Sequence, residues 1–283
     1  MQITESCKEC FRRQAENVLR LAGGGFSEAV ELWLSALEHA LPKDRPPSFV
    51  GRMLQRRVES LTGARDPFRE LRRRSNEFAL GMLHFFRARL ARSDEPIRDA
   101  LRLAAAANII DYGAKRDLTL AEARRAVEEA LSRPLEGTDE KAACERLARA
   151  HSVLIVADNA GEIAFDRLLC EFLPVRPVVA VRAAPVINDA VMEDALHVGL
   201  DEVADLTDTG SDLPGVWLPD SSPAFERLFR EADVVISKGQ GNYEGLSDTS
   251  FRGYFLFRVK CEPVAEHAGF PIGTSLLLPA RSG

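Results

Sequence analysis

The run Ser152-Val-Leu-Ile-Val-Ala157, followed at once by Asp158-Asn159-Ala160-Gly161-Glu162, decides how the rest of the chain is read. An apolar run of strand length without polar alternation predicts a strand buried on both faces, as in the middle of a parallel sheet. It ends abruptly in acid and amide. Ligands of open α/β sheets sit in the crevice at the carboxyl ends of the strands, so Asp158 and Asn159 fall where chemistry is expected. Taken alone, either residue could simply cap a helix starting near Gly161. Two further strand ends carry complementary polar groups, Asn188-Asp189 and Lys238-Gly239-Gln240-Gly241-Asn242, and the three together ask for more than a cap.

Outward from that run, strands are predicted at 152–157, 177–182, near 202–205, 233–237, 254–259 and 273–278, with helices near 161–173, 188–199 and 221–231 between them. This alternation predicts an α/β fold with a mainly parallel sheet covered by helices. Upstream the pattern is helical almost throughout. Phe26 to Leu41, Phe49 to Leu61, Pro67 to Ala91 and Pro96 to Tyr112 all place apolar residues three and four apart. Gly23-Gly24-Gly25, Pro42 to Pro47, Thr62-Gly63 and Ser93 to Pro96 supply the breaks. Thr119-Leu-Ala-Glu122 reads as a capping box opening another helix. The expected organisation is an all-α bundle over residues 1–135 and an α/β domain over 136–283.

Composition narrows the function. The formal charge of −6 hides an asymmetry: residues 1–150 carry 27 basic and 23 acidic side chains, a net +4, and residues 151–283 carry 10 and 20, a net −10. The half with the candidate site is acidic, which argues against nucleic acid as a partner. An acidic site that must hold an anion needs a metal ion to invert its field. No apolar run approaches a membrane span, and the first residues lack the basic-then-apolar pattern of a leader, so a cytoplasmic location is expected. Five unevenly spaced cysteines do not make a secreted disulfide framework.

Asp158, Asn159 and Asp189 offer two carboxylates and one amide oxygen, hard ligands that suit Mg²⁺ or Mn²⁺. Asn188 and Asp194 are rivals for that role, with Glu193 and Asp194 expected a turn or more into their helix. Zinc would want His or Cys, and Cys170 and His197 fall mid-helix or at a helix end. Glycines 239 and 241 would let backbone amides approach an anion, with Lys238 adding a point charge. The spacing is neither a Walker A loop nor a dinucleotide fingerprint, because the turn after the first strand has only Gly161. Asn108 and Asp111 share one helix face, either as a polar edge or as groups closing the site from the helical side. Asp66-Pro67 reads as a helix start and Asn76 as an exposed mid-helix amide. Cys7 and Cys10, with Cys261, read as small apolar groups or, less simply, as thiols for a metal.

Taken together, Asp158-Asn-Ala-Gly-Glu-Ile-Ala-Phe-Asp166, Pro185-Val-Ile-Asn-Asp-Ala190, Ser237-Lys-Gly-Gln-Gly-Asn-Tyr-Glu244, Asn108-Ile-Ile-Asp-Tyr-Gly113 and Asp66-Pro-Phe68 resemble the ARMT-like damage-control phosphatases. The similarity runs over essentially the whole chain, including Cys7-Lys-Glu-Cys10 and Lys260-Cys-Glu-Pro-Val264. One departure is Arg182-Ala-Ala-Pro185, where a glycine often stands before the proline. The resemblance implies a Rossmann-like three-layer α/β/α domain beside an N-terminal helical bundle, and hydrolysis of small phosphorylated metabolites with a divalent metal (Mg²⁺, Mn²⁺, Co²⁺ or Ni²⁺). By it, Asp158, Asn159 and Asp189 match the metal-binding positions and Lys238 the phosphate-contacting lysine, leaving Asp158, Asp189 and Lys238 as catalytic candidates. Expected substrate contacts are Lys238, Gly239, Gly241, Asn242, Glu162 and Arg182, with Asn108 and Asp111. Attack by water and attack by an aspartate stay open. So does a non-catalytic phosphometabolite sensor; a carboxyl methyltransferase would want a glycine-rich first turn, which is missing.

Overall fold

The computed structural model describes residues 1, 3–24, 35, 44–107 and 119–281. The helix expected over Phe26 to Leu41 lies outside them apart from one residue, and Asn108 and Asp111 lie outside them altogether.

Among the described residues, the chain opens with helices α1 (Ser6–Leu21), α2 (Ser48–Thr62), α3 (Arg69–Leu90), α4 (Pro96–Ala106), α5 (Leu120–Leu131) and α6 (Glu140–Arg149). It then alternates: β1 (Val153–Val156), α7 (Glu162–Phe172), β2 (Val178–Val181), α8 (Met192–His197), β3 (Asp205–Asp208), α9 (Pro223–Glu231), β4 (Val234–Lys238), α10 (Gln240–Leu246), β5 (Gly253–Arg258), α11 (Glu262–Ala268) and β6 (Ser275–Pro279). Thr119 and Glu122 form the expected capping box: each accepts the other's backbone amide, at 3.2 and 2.9 Å.

The six strands lie in the order β3-β2-β1-β4-β5-β6. Every neighbouring pair is parallel except β5 with β6, which run antiparallel. The winding goes one way from β1 through β2 to β3, then the other way from β4 to β5. The order therefore reverses between β1 and β4, and there the helices that follow the two strands part and leave a crevice. Val156 pairs with Ser237, so Asp158 and Lys238 leave the sheet side by side at this point.

Both faces of β1 are covered, which is why its sequence shows no alternation. Val153, Ile155 and Ala157 join an apolar cluster with Phe86, Leu103, Val127, Leu147 and Phe165 from the helices on one face. Leu154 and Val156 join Phe225, Phe229, Tyr243 and Leu246 on the other. Helices α3 to α6 thus share one continuous core with the sheet. A smaller cluster, built from Phe11, Val18, Val50, Leu54 and Phe68, holds α1 and α2 together.

Three sequence readings need correction. The helix expected from 188 begins only at Met192, because residues 183–191 form an irregular loop; Glu193 and Asp194 stand in its first turn rather than deeper. The third strand starts at Asp205, after a 3₁₀ turn over Leu200–Glu202. Gly239 and Gly241, read as glycines that let backbone amides approach an anion, instead begin a helix, capped by Gly239 with φ +81°.

Candidate active site

Two loops meet at the crevice. The one after β1 carries Asp158 and Asn159, and the one after β2 carries Asn188 and Asp189. They are laced together by backbone bonds: Ala190 N donates to the Asp158 carbonyl at 2.8 Å and Ala160 N to the Asn188 carbonyl at 2.9 Å, an antiparallel bridge that sets Asn159 opposite Asp189. The structure thus brings together the three residues that spacing alone could only nominate. Asp158 and Asp189 are buried, at 6% and 2% exposure.

The surrounding bonds fix how each group is presented. Asn159 Nδ2 donates to Asp158 Oδ2 and to Glu162 Oε1, both at 2.8 Å. Arg182 Nε donates to Asp189 Oδ2 at 2.7 Å, and the Gly215 amide adds a bond to the same oxygen at 3.0 Å. Arg182 Nη2 bridges the Ala157 carbonyl and Asn242 Oδ1, while Nη1 is buried and finds no hydrogen-bond partner among the described residues. Asn242 donates to the Ala157 and Lys238 carbonyls, tying the ends of β1 and β4. Gly239 has no substitute: a Cβ there would lie 2.0 Å from Asp158 Oδ2, so the backbone runs directly against the carboxylate.

Lys238 is buried, and its Nζ sits 2.5 Å from Asp166 Oδ1 and 3.7 Å from Glu162 Oε2. Asp166 lies one turn beyond Glu162 on α7, so both carboxylates share a helix face toward the lysine. Burial pulls the ammonium down, but Asp166, Glu162 and Asp158 outweigh it and hold Lys238 above its ordinary value. Burial, and then the Glu162 and Asp189 charges, push Asp158 up to about 8. Burial also raises Asp189, against the pull of Arg182 and the Gly215 amide.

This electrostatic state bears on whether a cation fits. Buried carboxylates facing one another are costly unless something positive sits among them. Among the described residues no three His, Cys, Asp or Glu side chains are placed to hold a metal by themselves. The candidate set is therefore two carboxylates and the Asn159 amide oxygen, a hard, sparse set that suits a divalent ion retaining several waters. Asp194 is removed as a rival: its oxygens take Arg72 Nε, Asn76 Nδ2 and the Val191 amide at 2.8, 2.9 and 3.1 Å. Cys7 is buried, Cys10 exposed and Cys261 half-buried, and among the described residues they build no metal cluster.

Several residues here escaped the sequence reading. Asp166 pairs with Lys238 across 72 positions. Lys260, exposed just after β5, lies close enough for its charge to act on Asp158. Asn76, read as exposed, is fully buried and accepts the Gly161 amide at 2.7 Å. Arg72 is buried too, clamped on both oxygens of Asp66 at 2.8 Å and on Asp194. Arg72→Ala would leave two carboxylates without their cation, and urea denaturation is expected to show a loss of about 3–5 kcal/mol.

The chain is similar to known proteins over nearly its whole length. A damage-control phosphatase of Pyrococcus horikoshii is 30% identical, the match covering 96% of each chain. A damage-control phosphatase of Archaeoglobus fulgidus is 30% identical over 96% of this chain and 97% of its own. An uncharacterized protein of Methanocaldococcus jannaschii is 30% identical over 98% of this chain and 95% of its own. The crystal structure of a DUF89 family protein from Pyrococcus horikoshii superposes with a TM-score of 0.88 at 28% identity, covering 99% of this chain and all of that one. The model of the damage-control phosphatase ARMT1-like domain matches residues 3–276, and the chain belongs to that family.

Proposed function

We propose that this protein is a metal-dependent phosphatase that hydrolyses small phosphorylated metabolites. The observation that carries the reading is the bridge between the two acidic loops, which gathers Asp158, Asn159 and Asp189 beside a buried lysine at the point where the strand order reverses. Family membership and the naming of two relatives as damage-control phosphatases support the phosphatase class. The metal and the substrate class are this reading's own.

Asp158, Asn159 and Asp189 would hold the divalent ion, which when bound supplies positive charge for a phosphoryl oxygen and acidity for a water. The chain's own groups do the rest. Arg182 and the Gly215 amide both bond Asp189 through one oxygen, Oδ2, and Oδ1 would be the oxygen that meets the ion. Lys238, held above its ordinary value by its carboxylate neighbours, would offset charge on phosphoryl oxygens. The first-turn amides after Gly239 add donors that carry no net charge.

The test is a panel of phosphorylated metabolites incubated with purified protein and Mg²⁺, Mn²⁺, Co²⁺ or Ni²⁺, with release of inorganic phosphate measured. Turnover with at least one ion and none in EDTA is expected. Binding of phosphometabolites without turnover under every condition would leave a sensor instead.

A further inference from the structure

We propose that Gln55 and Asn76, two uncharged side chains from the helical half, are positioning residues that set the geometry of the metal-binding loops; the proposal rests on the metal-dependent reading above. Neither loop is regular secondary structure, so its backbone polar groups must find partners elsewhere. Gln55, on α2, supplies two at once. Its Nε2 donates to the Pro185 carbonyl at 2.8 Å and its Oε1 accepts from the Ile187 amide at 2.6 Å, as a neighbouring strand would.

What this grip holds is unusual. Ile187 has φ +40°, and among the described residues it is the one non-glycine with positive φ. A β-branched residue avoids that region unless its surroundings over-determine it. Here they do: both backbone groups flanking Val186 are taken by Gln55, and the Ile187 side chain packs against the cluster that joins α1 and α2. Two residues on, the chain reaches Asp189. One turn before Gln55, Arg52 binds Asp212 and Asp220 at 3.1 and 2.6 Å, in the loop whose Gly215 amide bonds Asp189. Helix α2 thus braces the Asp189 carboxylate from two directions without touching it.

Asn76, on α3, works on the other loop. Its Oδ1 accepts from the amide of Gly161, three residues past Asp158, and its Nδ2 donates to Asp194, which in turn accepts the Val191 amide. One buried amide therefore ties the end of the Asp158 loop to the end of the Asp189 loop. Gln55 and Asn76 bracket the Asn159–Asp189 bridge, and because both are neutral they shape the site without altering its charge. Groups that orient the ligands of a metal affect its affinity by about 10–100-fold.

The test uses the full chain and Mn²⁺ alone, with free Mn²⁺ read by electron paramagnetic resonance and metal-free stability read by urea denaturation in EDTA. Gln55→Met, close in shape but unable to bond either backbone group, is expected to weaken Mn²⁺ binding about 10–100-fold while still folding cooperatively. Gln55→Glu keeps an acceptor for Ile187 N and loses the donor to Pro185, so it should fall between. Asn76→Ala should weaken binding to a similar degree; if it does not fold, the Gln55 variants decide. Under conditions where urea denaturation in EDTA shows the metal-free variant fully folded, turnover of Gln55→Met should climb back towards wild type as Mn²⁺ is raised, so that the recovery reports occupancy of the site and not rescue of the fold. Unchanged Mn²⁺ affinity in Gln55→Met, whatever happens to stability, overturns the bracing role and leaves the phosphatase reading standing. No Mn²⁺ binding by the wild type overturns both.

Discussion

Replacing Asp158 with asparagine is expected to abolish turnover of phosphate esters and, at the same time, to make the metal-free protein harder to melt at pH 8. The two effects share one cause. Asp158 is buried beside Glu162 and Asp189, and its carboxyl is pushed up to about 8, whereas an unfolded aspartate ionises near pH ~3.9. A folded pKa above the unfolded one means that the protonated form favours the fold. That contribution is complete below about pH 4, shrinks as pH rises, and is gone above about pH 8. A tenfold change in proton affinity is worth about 1.4 kcal/mol, so the loss across this window amounts to a few kcal/mol on an order-of-magnitude scale. Asparagine keeps the shape and removes the charge. The wild type in EDTA should therefore lose stability from pH 4 to pH 8, and Asp158→Asn should lose far less. Mn²⁺ added at pH 8 should raise the melting temperature of the wild type, because a ligand that binds only the folded state stabilises it, and should leave the variant unmoved. Turnover should fall by about 10³-fold or more. A variant that still hydrolyses phosphate esters, or still gains stability from the metal, would remove Asp158 from the ligand set.

The parts of this architecture that could be read from sequence are those that chain order writes down directly. β1 is covered on both faces, so it shows as an unbroken apolar run, and its end is marked by the first polar side chains, Asp158 and Asn159. Strand ends of parallel sheets converge on one edge, so the stretch that follows β2 and the end of β4 could be nominated together with them, although Asp189 comes only near the far end of the loop after β2. What stayed hidden is set by long-range partners. Asn76 looked exposed because helical periodicity shows which residues share a face and not what later covers that face; here Gly161 and Asp194 arrive from 85 and 118 positions away. The helix Gln240–Leu246 was hidden by Gly241 and Gly245, residues that depress helix propensity. Gly245 is there for another reason, since a Cβ at that position would lie 2.0 Å from the Val216 carbonyl. Tyr243 and Leu246 then supply the burial that keeps the short helix folded. Gln55 carried no signal at all. An amide on a helix becomes a brace only when a loop 130 residues downstream is laid against it.

Lys238 tests whether charge at this site serves the fold or the chemistry, since a buried ammonium between carboxylates can do either. Its Nζ lies 2.5 Å from Asp166 Oδ1, and both side chains are sealed from solvent. Burial pushes the Asp166 carboxyl up to about 6 even against the pull of Lys238, so Lys238→Met leaves it either charged without a counter-ion or forced to take up a proton, and stability is expected to fall by up to about 3–5 kcal/mol at neutral pH. Acid should relieve part of that loss by protonating the carboxylate. Pairing it with Asp166→Leu removes the stranded charge as well, and exchanging a buried ion pair for apolar groups of similar volume is often neutral or stabilising. The double variant should therefore recover most of the lost stability, a coupling that a double-mutant cycle measures directly. Turnover should behave differently. An ammonium that offsets charge on phosphoryl oxygens is worth about 10²–10³-fold in rate, and restoring the fold does not restore the ammonium. Both variants are thus expected to stay about 10²–10³-fold below wild type at saturating metal. If the double variant regains turnover along with stability, Lys238 is a counter-ion for Asp166, and the positive charge facing the phosphoryl group must come from elsewhere, with the exposed Lys260 near Asp158 the first residue to examine.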